Sequence, residues 1–460
     1  MNVFWYPTVE YGEISMSEII HKKRKLTTFQ LIVLGFAGVI LLGALLLMLP
    51  ISSRDGVVTS FRDALFTATS AVCVTGLVVK DTGSYWSSFG QAVILLLIQT
   101  GGLGVITVAT TFSMLSGRKI SLMQRSTMQS SISAPRVGGI VKLTRFILKG
   151  TFLIEFVGML LLMPVFCRDY GLKGIWLSLF HSVSAFCNGG FDILGTRDNL
   201  FPSLTGYAGD PLLNITIMLL IVIGGIGFLT WDDVCIHRWH VKRYSTQSKV
   251  VLFVSALLIL IPAGYFFFCD FYNFPIKERV LISLFQSVTT RTAGFNTADY
   301  AGMSEVSKML VIMLMLVGGS PGSTAGGMKT TTLAVLVLNA IATFYRKEDT
   351  EVYGRRLEVG VVKNAATILT LYLFLFLTGG MIISLAENLP LSDCLFETAS
   401  AVGTAGLTLG ITPMLGGISQ VVLIVLMYLG RVGGLTLIYA TFSGTKLNGA
   451  RYPVDKMTVG

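Results

Sequence analysis

The chain has 460 residues, 53% of them hydrophobic and only 13% charged, with a mean hydropathy of +0.72 and a formal net charge of +10. These values exclude an ordinary soluble domain or a disordered chain and match a polytopic membrane protein. Six dispersed cysteines and four dispersed histidines exclude a disulfide framework and a transition-metal site.

Residues 1–28 form a basic segment carrying Lys22, Lys23, Arg24 and Lys25. It lacks the apolar core of a cleaved leader, so the first span is expected to act as the insertion signal. That span, Phe29 to Leu49, is nearly charge-free and long enough for the roughly 30 Å hydrocarbon core. Ser88 to Leu115, Thr151 to Cys167, Pro211 to Trp231, Val250 to Cys269, Met309 to Met328, Asn364 to Leu385 and Gly416 to Ala440 complete eight predicted spanning helices. Inside each successive pair of spans lies a run too short to cross, closing on a polar, glycine-bearing stretch: 65–76, 179–190, 284–294 and 395–406. Each opens on Leu-Phe and closes on a glycine followed by Leu or Phe, with one residue fewer in the third.

The order therefore repeats four times, at 29–117, 146–232, 250–345 and 362–445, with a tail at 446–460. The predicted fold is all-α: four tandem helix–pore helix–helix repeats around a central pore. Most of the 35 basic residues collect in alternate connections, among them Arg118 to Lys149, Arg238 to Lys249 and Arg346 to Lys363. Positive charge stays on the cytoplasmic side, so both termini are expected there and the four polar stretches open outward. The same placement accounts for the net charge without a nucleic-acid partner.

A second glycine pattern falls inside each closing helix: Gly101-Gly102-Leu103-Gly104, Gly224-Gly225-Ile226-Gly227, Gly318-Gly319-Ser320-Pro321-Gly322 and Gly430-Arg431-Val432-Gly433-Gly434. For the first two copies, close helix packing and a special role stand as equal readings. The third cannot stay helical, because Gly318 to Gly327 holds five glycines and a proline. Broken backbone at membrane depth survives only where protein buries it or where it lines water. A position inside a pore, below the polar stretches, is the reading this supports, with Gly318, Gly319, Gly322, Gly326 and Gly327 in the break and Lys329 at its cytoplasmic end, facing the vestibule. The run Gly322 to Thr330 imitates a phosphate-binding loop, but Met328 separates the glycine from Lys329 and no strand precedes it.

A short helix dipping in from outside points its C-terminus at the bilayer centre, where the macrodipole places about half a negative charge. The residues that follow can offer backbone carbonyls in place of an ion's water shell. Val74-Thr75-Gly76, Asn188-Gly189-Gly190, Thr292-Ala293-Gly294 and Thr404-Ala405-Gly406 are the candidate ligands, with a monovalent metal cation as their ion. Arg431, a charge inside the last span, must face water or a partner. It suits both a gate and an anchor for the carbonyls of the third-repeat loop. Glu397 is expected to hold the filter by hydrogen bonds, and Arg291 to pair with such a carboxylate behind it.

Residues 68–77, 290–296, 430–436 and 451–453, in that order, resemble the TrkH/KtrB family of potassium-uptake membrane subunits, and KtrB above all. The resemblance covers nearly the whole chain. It implies a bacterial plasma-membrane protein acting as a homodimer with one pore per subunit, importing K+ with possible help from Na+ and holding no organic cofactor. It also implies filter glycines at 76, 190, 294 and 406, a gating loop over 318–327, a pore-facing Arg431 and a cytoplasmic nucleotide-binding ring of KtrA-like subunits. Cys187-Asn188-Gly189-Gly190 departs from the family's Asn-Asn-Ala-Gly, and Pro321 departs within the loop. A serine at the first filter position goes with sodium permeation in this family, whereas Gly76 stands here, so potassium is the expected ion. A sodium-coupled or less selective cation transporter is the alternative. No nucleophile–base pair or carboxylate dyad suggests an enzyme.

Overall fold

The computed structural model describes residues 27–115, 120–132, 138–434, 436 and 440. The basic segment before residue 27, part of the second basic connection and the 446–460 tail lie outside them.

Four long helices frame the molecule: α1 (Thr28–Met48), α6 (Ile140–Tyr170), α10 (Thr246–Cys269) and α14 (Val359–Glu387). Each is long and apolar enough to cross a membrane. α1 starts on a reciprocal cap in which the Thr27 hydroxyl accepts from Gln30 N at 3.3 Å and the Gln30 amide oxygen accepts from Thr27 N at 3.1 Å. The outer faces stay apolar and exposed, as at Leu42, Leu153, Ile261 and Phe374, which is how a helix facing lipid differs from one facing water.

After each long helix comes a short one: α2 (Phe61–Cys73), α7 (Lys173–Phe186), α11 (Ile276–Thr289) and α15 (Leu391–Gly403). At 13 or 14 residues they extend about 20 Å, less than a bilayer core. Their C-terminal halves are buried all round, beginning at Phe66, Phe180, Phe285 and Phe396, each fully buried. The repeated Leu-Phe thus marks where each short helix enters the interior. Long helices form the rim and short, partly polar helices the centre.

The closing helices differ from the sequence expectation. Ser88 to Leu115 is two helices, α3 (Ser88–Leu103) and α4 (Val105–Leu115), bent by 98°. Pro211 to Trp231 is likewise split into α8 (Pro211–Gly225) and α9 (Phe228–His237), bent by 99°. In the third repeat α12 (Glu305–Leu316) stops, a loop runs over 317–329, and α13 (Thr330–Phe344) resumes. In the fourth, α16 (Gly417–Val432) ends on Gly433. Among the described residues four helices are long enough to cross on their own, two bent pairs could each serve as a span, and the closing helices of the third and fourth repeats are shorter. A further helix, α5 (Leu122–Ile132), and a two-stranded hairpin, β1 (Glu351–Val352) with β2 (Arg355–Arg356), lie in the connections.

Every closing helix breaks at its glycine pattern, the first two included. Gly104 and Gly227 take φ of +86° and +92°, left-handed values that favour glycine. Packing demands glycine there too: a Cβ on Gly101 would overlap the Val72 carbonyl, and one on Gly224 that of Phe186. The packing reading is thus met at Gly101 and Gly224, and the same pattern ends each helix at Gly104 and Gly227. The exposed amides at the breaks satisfy one another, with Ser320 N donating to Gly225 O at 2.9 Å, Thr324 N to Gly224 O at 3.2 Å and Phe228 N to Gly322 O at 2.7 Å.

Candidate ion path

The four short helices end in the same way. Val74, Asn188, Thr292 and Thr404 take left-handed φ of 56°, 60°, 66° and 51°, and Gly76, Gly190, Gly294 and Gly406 take 97°, 66°, 86° and 81°. The residue between each pair, Thr75, Gly189, Ala293 or Ala405, does not. Two positive-φ residues flanking a negative one alternate the peptide planes, and each chain bends back on its helix. Thr75 N returns to Ser70 O at 2.8 Å, Gly189 N to Ser184 O at 2.6 Å, Ala293 N to Thr289 O at 3.0 Å and Ala405 N to Ser400 O at 2.7 Å. The donors are thus tied to the helices, while among the described residues no donor is paired with the carbonyls of the four triplets.

The triplets meet in a closed ring in chain order. A Cβ on Gly76 would lie 2.8 Å from Gly189 O; on Gly190, 2.8 Å from Ala293 O; on Gly294, 3.1 Å from Ala405 O; on Gly406, within overlap of Thr75 O. Each glycine therefore faces the carbonyl preceding the next repeat's glycine, and a side chain at any of the four would collide with it. Sequence spacing marked these residues; only the fold brings them together.

Above the ring opens a cavity of about 200 Å³ lined by all four glycines together with Asp81, Asp192 and Asp299. Asp81 accepts from Ser84 N at 2.7 Å and from Phe201 N at 2.9 Å, pinning the second repeat's outer loop to the first repeat. Sequence reasoning missed it, although Asp81-Thr82-Gly83-Ser84 carries the spacing of a helix cap. Burial, reinforced by neighbouring Asp81, pushes the Asp192 carboxyl up to about 7.

Below the ring lies the 317–329 loop. A Cβ on Gly327 would lie 2.8 Å from Gly403 O, and one on Gly326 would overlap the Thr404 hydroxyl. A second cavity, about 270 Å³, lies against the loop and is lined by Gly102, Gly322, Gly327, Lys329 and Arg431. Gly318 and Gly319 face the loop's returning limb, with Gly318 N donating to Met328 O at 2.8 Å. Ring and loop separate the two cavities.

Arg431 bridges the breaks. Its guanidinium donates to Thr324 O in the loop, to Gly101 O, and to Gly102 O at 3.2 Å. Lys329 lines the lower cavity, but its ammonium turns back on its own loop, donating to Ala325 O at 2.8 Å and Gly326 O at 3.2 Å. Carbonyls freed by broken helices thus hold both cations.

Glu397, fully buried on α15, accepts from Thr408 Oγ1 at 2.5 Å, Leu409 N at 3.1 Å and Thr412 Oγ1 at 2.5 Å, binding the loop that follows its own repeat's triplet. Arg291 does not pair with it. Among the described residues the Arg291 Nε and one terminal nitrogen are buried with no partner, and Glu397 is already engaged by its own loop. Glu155, also buried, instead accepts from Gln99 Nε2 at 3.2 Å.

Long helices with exposed apolar faces around a ring of short ones, whose triplet carbonyls have no donor among the described residues, define a multi-pass membrane protein. The comparisons narrow the class. A family model described as TrkH, cation transport protein, matches residues 21–254 and 246–445. The chain is 39% identical over 454 residues to the potassium/sodium uptake protein NtpJ of Enterococcus hirae, covering 95% of this chain and 98% of that one. It is 37% identical over 443 residues to the Ktr system potassium uptake protein B of Bacillus subtilis, covering 95% and 97%. The crystal structure of the potassium transporter TrkH from Vibrio parahaemolyticus superposes with a TM-score of 0.71 at 20% identity, over 91% of this chain and 86% of that one. The chain belongs to the TrkH family of cation transport proteins.

Proposed function

We propose that this protein carries potassium ions inward across the plasma membrane as the translocating subunit of a Ktr-type system. The observation that carries the reading is the ring of four glycines whose neighbouring carbonyls have no donor. Carbonyl oxygens are neutral, hard ligands, and three successive layers from four repeats can replace the water around a monovalent cation. Four short-helix C-termini converge below the outer cavity, each worth about half a negative charge. The filter is Val74-Thr75-Gly76, Asn188-Gly189-Gly190, Thr292-Ala293-Gly294 and Thr404-Ala405-Gly406. The gate is the 318–327 loop with Lys329, held by Arg431.

Each repeat crosses the membrane twice and the termini face the cytoplasm, which agrees with Lys249 lying 5.9 Å from the Tyr353 ring, where two basic connections meet. The Bacillus relative's name places it in a system, which supports a partner subunit; the proposed partner is a cytoplasmic nucleotide-binding ring, and the proposed working unit a homodimer. The Enterococcus relative's name includes sodium, which favours a second reading in which sodium also permeates or assists.

Purified protein in liposomes is expected to pass potassium and rubidium and to pass lithium poorly. Equal flux of all three would refute a selective filter. Growth rescue of a potassium-uptake-deficient bacterium, with and without a candidate cytoplasmic partner, tests the assignment to a two-component system.

A further inference from the structure

The four residues that open the filter triplets, Val74, Asn188, Thr292 and Thr404, occupy the same left-handed position, yet their side chains differ in what they reach. The Thr404 hydroxyl is buried with no partner among the described residues. Asn188 is the exception. Its Nδ2 donates across the ring to Arg291 O at 3.3 Å and to Thr292 Oγ1 at 3.5 Å, tying the second filter stretch to the third. Its Oδ1 accepts from the Thr324 hydroxyl at 3.3 Å. The same hydroxyl donates at 3.0 Å to Phe186 O, the carbonyl two residues before Asn188, so its one proton is shared between the end of α7 and the Asn188 carboxamide.

Thr324 belongs to the loop beneath the filter, and all of its polar groups are engaged. Its amide donates to Gly224 O at 3.2 Å and its carbonyl receives Arg431. Thr324, Asn188 and Thr292 are all essentially inaccessible. A Cβ on Gly224 would lie 2.8 Å from the Thr324 oxygen and 3.1 Å from Asn188 Oδ1, so the glycine at this break makes room for the pair.

We infer that Thr324 is a selectivity-determining positioning residue: its hydroxyl fixes the carboxamide of Asn188, which in turn sets the spacing between the second and third filter stretches. This deepens the filter reading above and rests on it. Among the described residues no other filter-opening side chain is bonded both to a neighbouring filter stretch and to the loop. Without the hydroxyl, Asn188 Oδ1 is a buried acceptor with no donor, and the carboxamide gains by turning. Its amide nitrogen then leaves Arg291 O, and the ring loosens on one side. Of the polar groups of Thr324, Arg431 holds only the carbonyl, so its loss frees the lower loop without disturbing the hydroxyl. The carbonyl and the hydroxyl of one residue thus separate rate from preference.

The test uses full-length protein in liposomes and reads the potassium-to-sodium permeability ratio alongside total flux. Thr324→Val keeps the shape and removes the hydroxyl; it is expected to lower the ratio roughly fivefold, the effect of one buried hydrogen bond. Thr324→Ser is expected to restore it. In an Asn188→Ala background Thr324→Val should lower the ratio no further. Thr324→Ala serves the same comparison if the valine variant is poorly folded. A ratio within twofold of wild type in both Thr324→Val and Thr324→Ala, whatever the flux, overturns the inference, as does an additive loss in the double variant. A wild-type protein that passes potassium and sodium equally would overturn the filter reading itself; a selective wild type with unshifted variants overturns only the role of Thr324.

Discussion

Replacing Arg431 by alanine tests the gate. The guanidinium makes three contacts, but only the one to Thr324 O joins fixed scaffold to the loop. Those to Gly101 O and Gly102 O join α16 to α3, whose relative position need not change when the loop moves, so they cancel between closed and open states. A hydrogen bond from a charged donor contributes about 1.5–3 kcal/mol, so its loss shifts the closed-to-open ratio roughly 10- to 150-fold. Removing the charge acts in the same direction, since at an effective dielectric of about 20 a unit charge 4 Å away opposes a cation by about 4 kcal/mol. Rubidium uptake into liposomes should therefore rise at least several-fold while the potassium-to-sodium ratio stays put. Arg431→Lys keeps the charge but not the planar fork, and should fall between wild type and Arg431→Ala. A folded, monodisperse Arg431→Ala protein with unchanged or lower flux would refute the reasoning, because neither tether nor barrier would then sit at this level.

Gly76→Ser places a Cβ 2.8 Å from Gly189 O at a residue with φ of +97°. Left-handed strain of about 1–2 kcal/mol, relieved only by shifting the ring, should cut potassium-over-sodium discrimination on the order of tenfold; a competition flux assay that found discrimination intact would remove this glycine from the filter. Glu397→Gln leaves one amide oxygen to serve donors that now share two carboxylate oxygens. The expected outcome is a loss of roughly 1–3 kcal/mol in stability, read as a lower thermal unfolding midpoint, with ion preference retained. Unchanged stability accompanied by altered preference would mean that the carboxylate contacts the ion instead of the scaffold.

The short helices were legible in the sequence because their ends carry two kinds of information at once. Phe66, Phe180, Phe285 and Phe396 mark entry into the interior, and Gly76, Gly190, Gly294 and Gly406 mark the only residue type the ring accepts. The breaks of the first two closing helices were harder to read. Gly101-Gly102 and Gly224-Gly225 sit in apolar runs whose composition suits a continuous span, and a glycine pair there satisfies helix packing as well as helix termination. Arg291 could not be placed because an intramembrane charge signals a need for a partner without naming one. Thr324 gave no signal beyond its place in a glycine-rich loop.

Composition and fourfold recurrence sufficed for a membrane protein and its repeat. These follow from hydrophobic length and backbone conformation, both properties of residues taken locally. The closed order of the ring, the reciprocal pairing of broken helices in the second and third repeats, and the reach of Arg431 and Asn188 across repeats were decided in three dimensions. Each depends on carbonyls and amides that every residue carries, so only the packing of four repeats about one axis determines which of them are left free and which find a partner.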